Sequence, residues 1–211
     1  MGHEYFQEFV TLALIHFLAV IVPGPDFVIT VRQSIKYGRL HGILTAMGIG
    51  SGLSVHVIYT ILGVSAIMQT SPVVLASVKI LGISYLVYLG ISLCFSKSTG
   101  KLFEFELDKE IAMQQSATKA FWIGFLTNAT NPKATLFFVA VMTSVVSAET
   151  PIMIQVYYGI WMCFVNAMWF ILVSLLFSST FLRSWFNNKV QIVERTLGAL
   201  LLIFATRLVL L

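Results

Sequence analysis

Six apolar segments, each long enough for the about 20 residues that a helix needs to cross a bilayer, account for most of this 211-residue chain. They run over about 5–31, 41–68, 73–95, 120–146, 152–182 and 190–211. Charged residues make up 10% of the chain and hydrophobic residues 58%, whereas a soluble domain carries about 25% charged residues. Side chains in these proportions cannot cover a soluble surface, so lipid is the solvent that fits. The expected fold is all-α, a polytopic membrane protein of six transmembrane helices. The first run lacks a basic leader and a following small-residue cleavage site, and reads as a retained helix.

The placement of Lys and Arg orients the helices. Arg32, Lys36 and Arg39 follow the first segment; Lys97, Lys101, Lys109 and Lys119 follow the third; Arg183, Lys189 and Arg195 follow the fifth. The N-terminal tail and the links at 69–71 and 147–151 have none, and Lys79 and Arg207 are the exceptions. Basic connections stay cytoplasmic, which puts both termini in the periplasm, as an even number of helices requires. The net charge of +4 is thereby explained without a nucleic-acid partner, since the basic residues form no single patch.

The segment 97–118 mixes lysines with Glu104, Glu106, Asp108 and Glu110. It reads as a cytoplasmic loop between a first three-helix repeat, 1–96, and a second, 119–211, within one transmembrane domain. Two three-helix units joined across such a loop enter the membrane from opposite sides, the inverted repeat common in secondary transporters. Each half opens with a helix interrupted by a proline motif. Each third helix carries a basic residue three before a glycine, Lys79 before Gly82 and Arg195 before Gly198.

The interruptions carry the chemistry. Pro23-Gly24-Pro25-Asp26 stands inside the first apolar run. Proline lacks an amide donor and clashes with the preceding turn, so the helix should break there. Non-helical backbone at membrane depth is tolerated only inside protein or beside a wet cavity. Asp26 follows directly, and an intramembrane carboxylate is costly unless paired, protonated or hydrated; the competing explanation is an N-cap at the cytoplasmic interface. Asn131-Pro132-Lys133 is the counterpart in the fourth run, with Asn128 one turn earlier. Lys133 is too deep to reach water easily and needs a carboxylate or a carbonyl cage. A structural ion pair with Asp26 would serve, and so would a shared binding site.

Other features weigh toward packing. Gly38, Gly42, Gly48, Gly50, Gly52 and Gly63 cluster in and before the second helix. Small residues let membrane helices approach closely, and Gly42, Gly48, Gly52, Gly82, Gly90 and Gly198 are assigned to such contacts. Gly48-x-Gly50-x-Gly52 follows no strand and is not a nucleotide fingerprint. His16 and His56 lie in apolar runs as packing histidines or proton relays. Tyr85, Tyr88, Trp161, Trp169, Asn166 and Gln155 are candidates for a cavity lining, with aromatic belts and ordinary packing as the competing explanation. Cys94 and Cys163 form no C-x-x-C pattern, and neither a metal site nor a cofactor is expected. Asp26 reads as the one carboxylate deep in a helix, which favours a neutral substrate over a basic one.

In order and spacing these residues resemble the LysE/RhtB family of amino-acid exporters. The resemblance rests on Pro23-Gly24-Pro25-Asp26, on Asn128-x-x-Asn131-Pro132-Lys133-Ala134 followed by Phe137-Phe138, and on Gly38-Arg39-x-x-Gly42 with Gly48. It also rests on Lys79-x-x-Gly82-x-x-Tyr85-Leu86-x-Tyr88-Leu89-Gly90 and on Arg195-x-x-Gly198-Ala199. Ala129-Thr130 and Ala205 depart from the family's usual residues. The resemblance implies a bacterial inner-membrane exporter of amino acids or close derivatives, driven by the proton motive force and without a cofactor. On this reading Pro23, Gly24, Pro25, Asp26, Asn128, Asn131, Pro132 and Lys133 form a central substrate-binding or coupling site with alternating access. The partners are a small amino acid, protons and membrane lipid, and the size of the chain admits a homodimer. A passive channel and an integral-membrane enzyme are the alternatives; the second lacks H-E-x-x-H, paired intramembrane aspartates and G-x-S-x-G.

Overall fold

The computed structural model describes residues 2–70, 72–97, 115–147 and 149–210. Most of the expected loop 97–118 and the link residues Ser71 and Ala148 therefore lie outside the described residues, as does Leu211. Eight helices and no strand occur among the described residues: α1 (His3–Ile21), α2 (Pro25–Tyr37), α3 (Arg39–Thr70), α4 (Pro72–Cys94), α5 (Ala117–Ala129), α6 (Pro132–Val145), α7 (Ile152–Leu176) and α8 (Thr180–Leu210).

The first apolar segment is thus α1 and α2, and the fourth is α5 and α6. Each break falls at its proline motif. Pro25 and Pro132 occupy the first turn of α2 and α6, where the missing amide would have had no intrahelical partner. Asn131 caps α6, its side-chain oxygen accepting from the Lys133 amide at 3.0 Å. Gly38 ends α2 at φ +89°, a left-handed conformation that side chains disfavour, and so turns the chain directly into α3.

Among the described residues, four helices are long and apolar enough to cross a membrane, over His3–Ile21, Arg39–Gly63, Ala76–Cys94 and Ile152–Leu176. The half-helices α2, α5 and α6 have 13, 13 and 14 residues. At 1.5 Å per residue they reach only about 20 Å, against about 30 Å of hydrocarbon. Alone, none of the three spans it.

The boundary between the last two segments differs from the expected 182–190. α7 ends at Leu176 and α8 begins at Thr180. The stop is polar and local: Ser178 Oγ donates to Ser174 O at 2.7 Å, and the Arg183 guanidinium donates to Phe177 O at 3.0 Å. The apolar run continues through this turn because its aromatics pack inward. Phe186 stacks on Phe27 with ring centres 5.2 Å apart.

Glycines set the closest helix approaches. α3 packs against α5 and α7, and α4 against α6 and α8. A Cβ on Gly48 would lie 2.0 Å from Phe121 O, and one on Gly124 2.0 Å from Thr45 O, so α3 and α5 meet backbone to backbone. Gly52 faces Phe125 O, Gly82 faces Ala140, Gly42 faces Ser34 and Ser174, and Gly90 and Gly198 face each other's carbonyls. Gly63 meets nothing within 4 Å. Leu14, Ile58, Leu62, Ile160, Phe164 and Ile203 point outward, an apolar exterior that suits lipid.

Candidate functional site

The two breaks open onto one cavity. Gly24, Pro25 and Asp26 line it from the first break; Asn128, Asn131 and Lys133 line it from the second. Pro23 and Pro132 shape the backbone but do not line it. The cavity holds about 60 Å³ of free space, several times what one buried water requires. Val20, Leu53, Phe137 and Phe170 supply apolar walls.

Asp26 stands in the first turn of α2 and is 9% exposed. Its Oδ2 accepts from Asn128 Nδ2 at 2.8 Å and, more loosely, from Asn131 Nδ2 at 3.5 Å. The pair of asparagines thus reaches across from one broken segment to the carboxylate of the other. Lys133 does not complete an ion pair: its ammonium lies against Gly24, 3.7 Å from where a Cβ would stand, and it is not within 4.0 Å of the Asp26 carboxylate. The structural Lys133–Asp26 ion pair, one of the two alternatives, is not made; both residues instead line one cavity. The Lys133 carbonyl is the acceptor for Tyr85 Oη at 3.4 Å.

Helix ends add to this field. α2 and α6 both begin at the cavity, and helix N-termini carry partial positive charge. Several buried polar atoms of the lining have no hydrogen-bond partner within the protein: Asp26 Oδ1, Asn128 Oδ1, Asn166 Nδ2 and both ring nitrogens of His16. An unmet buried group costs about 1–3 kcal/mol. Around one cavity these atoms form a set of donors and acceptors that water or a polar ligand can meet.

Of the residues assigned to packing or to a lining, His16 and Asn166 do line the cavity. His16 is 1% exposed and enclosed by the rings of Phe137, Phe138 and Trp161. Tyr85, Tyr88, Trp161, Trp169, Gln155 and His56 do not line it. Gln155 instead donates to Thr150 O at 2.9 Å, beside a second polar cluster in which Glu8 of α1 accepts from the Ser147 amide and the Thr150 hydroxyl, each at 2.9 Å. The expectation that Asp26 is the one buried carboxylate is corrected by Glu194 of α8, 7% exposed. It accepts from Ser96 Oγ but does not line the cavity. Its position beside Arg195 in a charged stretch gave the sequence reading no sign of burial.

Fold and site together define a class: a helical membrane protein in which two helical segments break around one cavity that holds a few buried polar groups among apolar walls. The chain belongs to the LysE type translocator family, whose model matches residues 17–211. It is 28% identical over 199 residues to an uncharacterized membrane protein of Haemophilus influenzae, covering 94% of each chain. It is 27% identical over 193 residues to the uncharacterized membrane protein YrhP of Bacillus subtilis, covering 88% of this chain and 90% of YrhP. A leucine efflux protein of Salmonella choleraesuis is 30% identical over 132 residues, 63% of this chain and 60% of its own length. No solved structure gives a significant match.

Proposed function

We propose that this protein exports a small neutral amino acid from the cytoplasm of a bacterium by proton antiport, through alternating access to the cavity between the two breaks. The observation that carries this reading is the sharing of one cavity by both broken segments, lined by Asp26 from the first break and by Asn128, Asn131 and Lys133 from the second. A zwitterion presents an ammonium and a carboxylate together. Asp26 takes the ammonium or the coupling proton; Lys133 and the N-termini of α2 and α6 attract the carboxylate. The apolar walls receive an uncharged side chain. Membership of a translocator family and the likeness to a leucine efflux protein support an amino acid as cargo.

On this reading the eight helices make six passes in the inner membrane, arranged as two inverted three-helix repeats with both termini periplasmic. The pairing of α3 with α7 and of α4 with α8 suits such symmetry, because each pair joins corresponding helices of the two halves. Purified protein in vesicles loaded with the twenty standard amino acids provides the test, with mass spectrometry reading what leaves. One or a few small neutral species should be lost, and faster when the outside is the more acid side. Retention of all twenty would refute export, and efflux indifferent to the gradient would favour a passive channel.

A further inference from the structure

We propose that His56 is a positioning residue for the Asp26–Asn128 contact, supplying the donor that Pro132 lacks; this rests on the reading of Asp26 and Asn128 as the transport site. In an unbroken helix the Asn128 carbonyl would accept from the amide of residue 132. That residue is proline and has no N–H. The Asn131 amide makes a tighter contact to the same oxygen at 2.9 Å. The place left by residue 132 is taken from outside the segment, by His56 Nε2 at 2.8 Å.

The carbonyl fixes the tautomer of the neutral ring. A carbonyl only accepts, so Nε2 carries the proton and donates. Nδ1 of a neutral imidazole is then bare, and it faces two hydroxyls that can donate to it, Tyr59 Oη at 2.9 Å and Thr135 Oγ1 at 3.5 Å. Every polar atom of the ring is thereby met, in a side chain that is 0% exposed. The ring also stacks on Phe138, with centres 6.0 Å apart.

Position on α3 completes the argument. Gly52 and His56 are four residues apart and share one helical face. A Cβ on Gly52 would come within 3.1 Å of Asn128 Cβ, so the glycine admits Asn128 and the histidine grips its carbonyl. Held on its main chain, Asn128 turns its amide to Asp26 Oδ2 at 2.8 Å. Without the grip, the Asn128 carbonyl keeps only its local backbone contacts at the end of α5, and the amide loses its aim.

Two measurements on the full-length protein test this. The first needs no substrate: protein labelled with 15N-asparagine is followed by NMR, the Asn128 side-chain amide being assigned by its loss in Asn128→Ala. The Asn128 signal should shift in His56→Ala and stay near its wild-type position in His56→Gln, whose amide can donate in place of Nε2–H. An unmoved signal in His56→Ala overturns the proposal whether or not the protein transports. The second is efflux from the amino-acid-loaded vesicles, at matched amounts of folded protein. His56→Ala should slow efflux about tenfold and His56→Gln less than about threefold. In an Asn128→Ala background His56→Ala should add less than about twofold, because residues acting through one contact are not additive. Multiplicative losses, or a folded His56→Gln as slow as the alanine variant, overturn it. A wild-type protein that transports nothing while Asn128 responds to His56→Ala sinks the site reading and leaves the positioning contact standing.

Discussion

Adding one methyl group at Gly48 should disturb both the fold and the site, and the size of the effect can be worked from the geometry. The new Cβ would lie 2.0 Å from Phe121 O and 2.8 Å from Phe125 N. Ordinary contact begins near 3.4 Å, so α3 and α5 must separate by about 1.4 Å, and neither contact is a side chain that can rotate away. Overpacking of this kind costs about 1–3 kcal/mol; two backbone contacts put Gly48→Ala at the top of that range. At about 2–4 °C per kcal/mol for a chain of this size, the melting temperature in detergent should fall by about 6–12 °C. The displacement also reaches Asn128, two turns further along α5. A hydrogen bond of 2.8 Å to Asp26 lengthened by most of that shift would pass the about 3.2 Å at which such bonds fade, so efflux per folded molecule should fall as well. Gly63→Ala is the control: nothing lies within 4 Å of its Cβ, and replacing a helical glycine should be neutral or stabilising by up to about 1 kcal/mol. If Gly48→Ala melts within a degree of wild type and exports normally, the backbone contact between α3 and α5 is not what holds the site.

Asp26→Asn should leave the protein folded in the membrane and abolish export driven by a proton gradient; normal export in this variant would reduce Asp26 to a helix cap. Cysteines at positions 26 and 133 should cross-link with a short bifunctional reagent, and Lys133→Ala should cripple export at normal expression. A pair that never cross-links, together with an active alanine variant, would dissolve the shared site. A reporter active only in the cytoplasm should stay silent when fused after Leu211, and strong activity would invert the orientation.

What could be read in advance was whatever has a local physical cause. Both breaks were legible because proline removes a donor wherever it stands, and Pro25 and Pro132 do begin new helices. The apolar runs announced helices because burial in lipid demands length and hydrophobicity together. The α7–α8 boundary was not legible: the turn at 177–179 is made by Ser178 and by Arg183 folding back, while Phe177 and Phe186 keep the run apolar. The same limit applies to His16 and His56. Both are histidines in apolar helices, yet one faces the cavity with both nitrogens unmet and the other is bonded at both. Only the rotation of α1 and α3 against their neighbours separates the two cases, and that is a tertiary fact.

The separation of Asp26 from Lys133 bears most directly on mechanism. Two opposite charges buried in direct contact offset much of each other's desolvation cost, and removing one is what proves expensive. Such a pair would act as a fastener between the broken segments, and a passing zwitterion would have to break it. Here the carboxylate is held by amides, Asn128 at 2.8 Å and Asn131 at 3.5 Å, while the ammonium rests against Gly24. The amides are neutral donors, weaker than an ammonium for a carboxylate, so on the proposed reading a substrate ammonium would displace or share them at low cost. One Asp26 oxygen already lacks a partner in the protein. On the proposed reading, a carboxylate and an ammonium that line one cavity without being bound to each other would favour a ligand carrying both signs over a ligand carrying either alone.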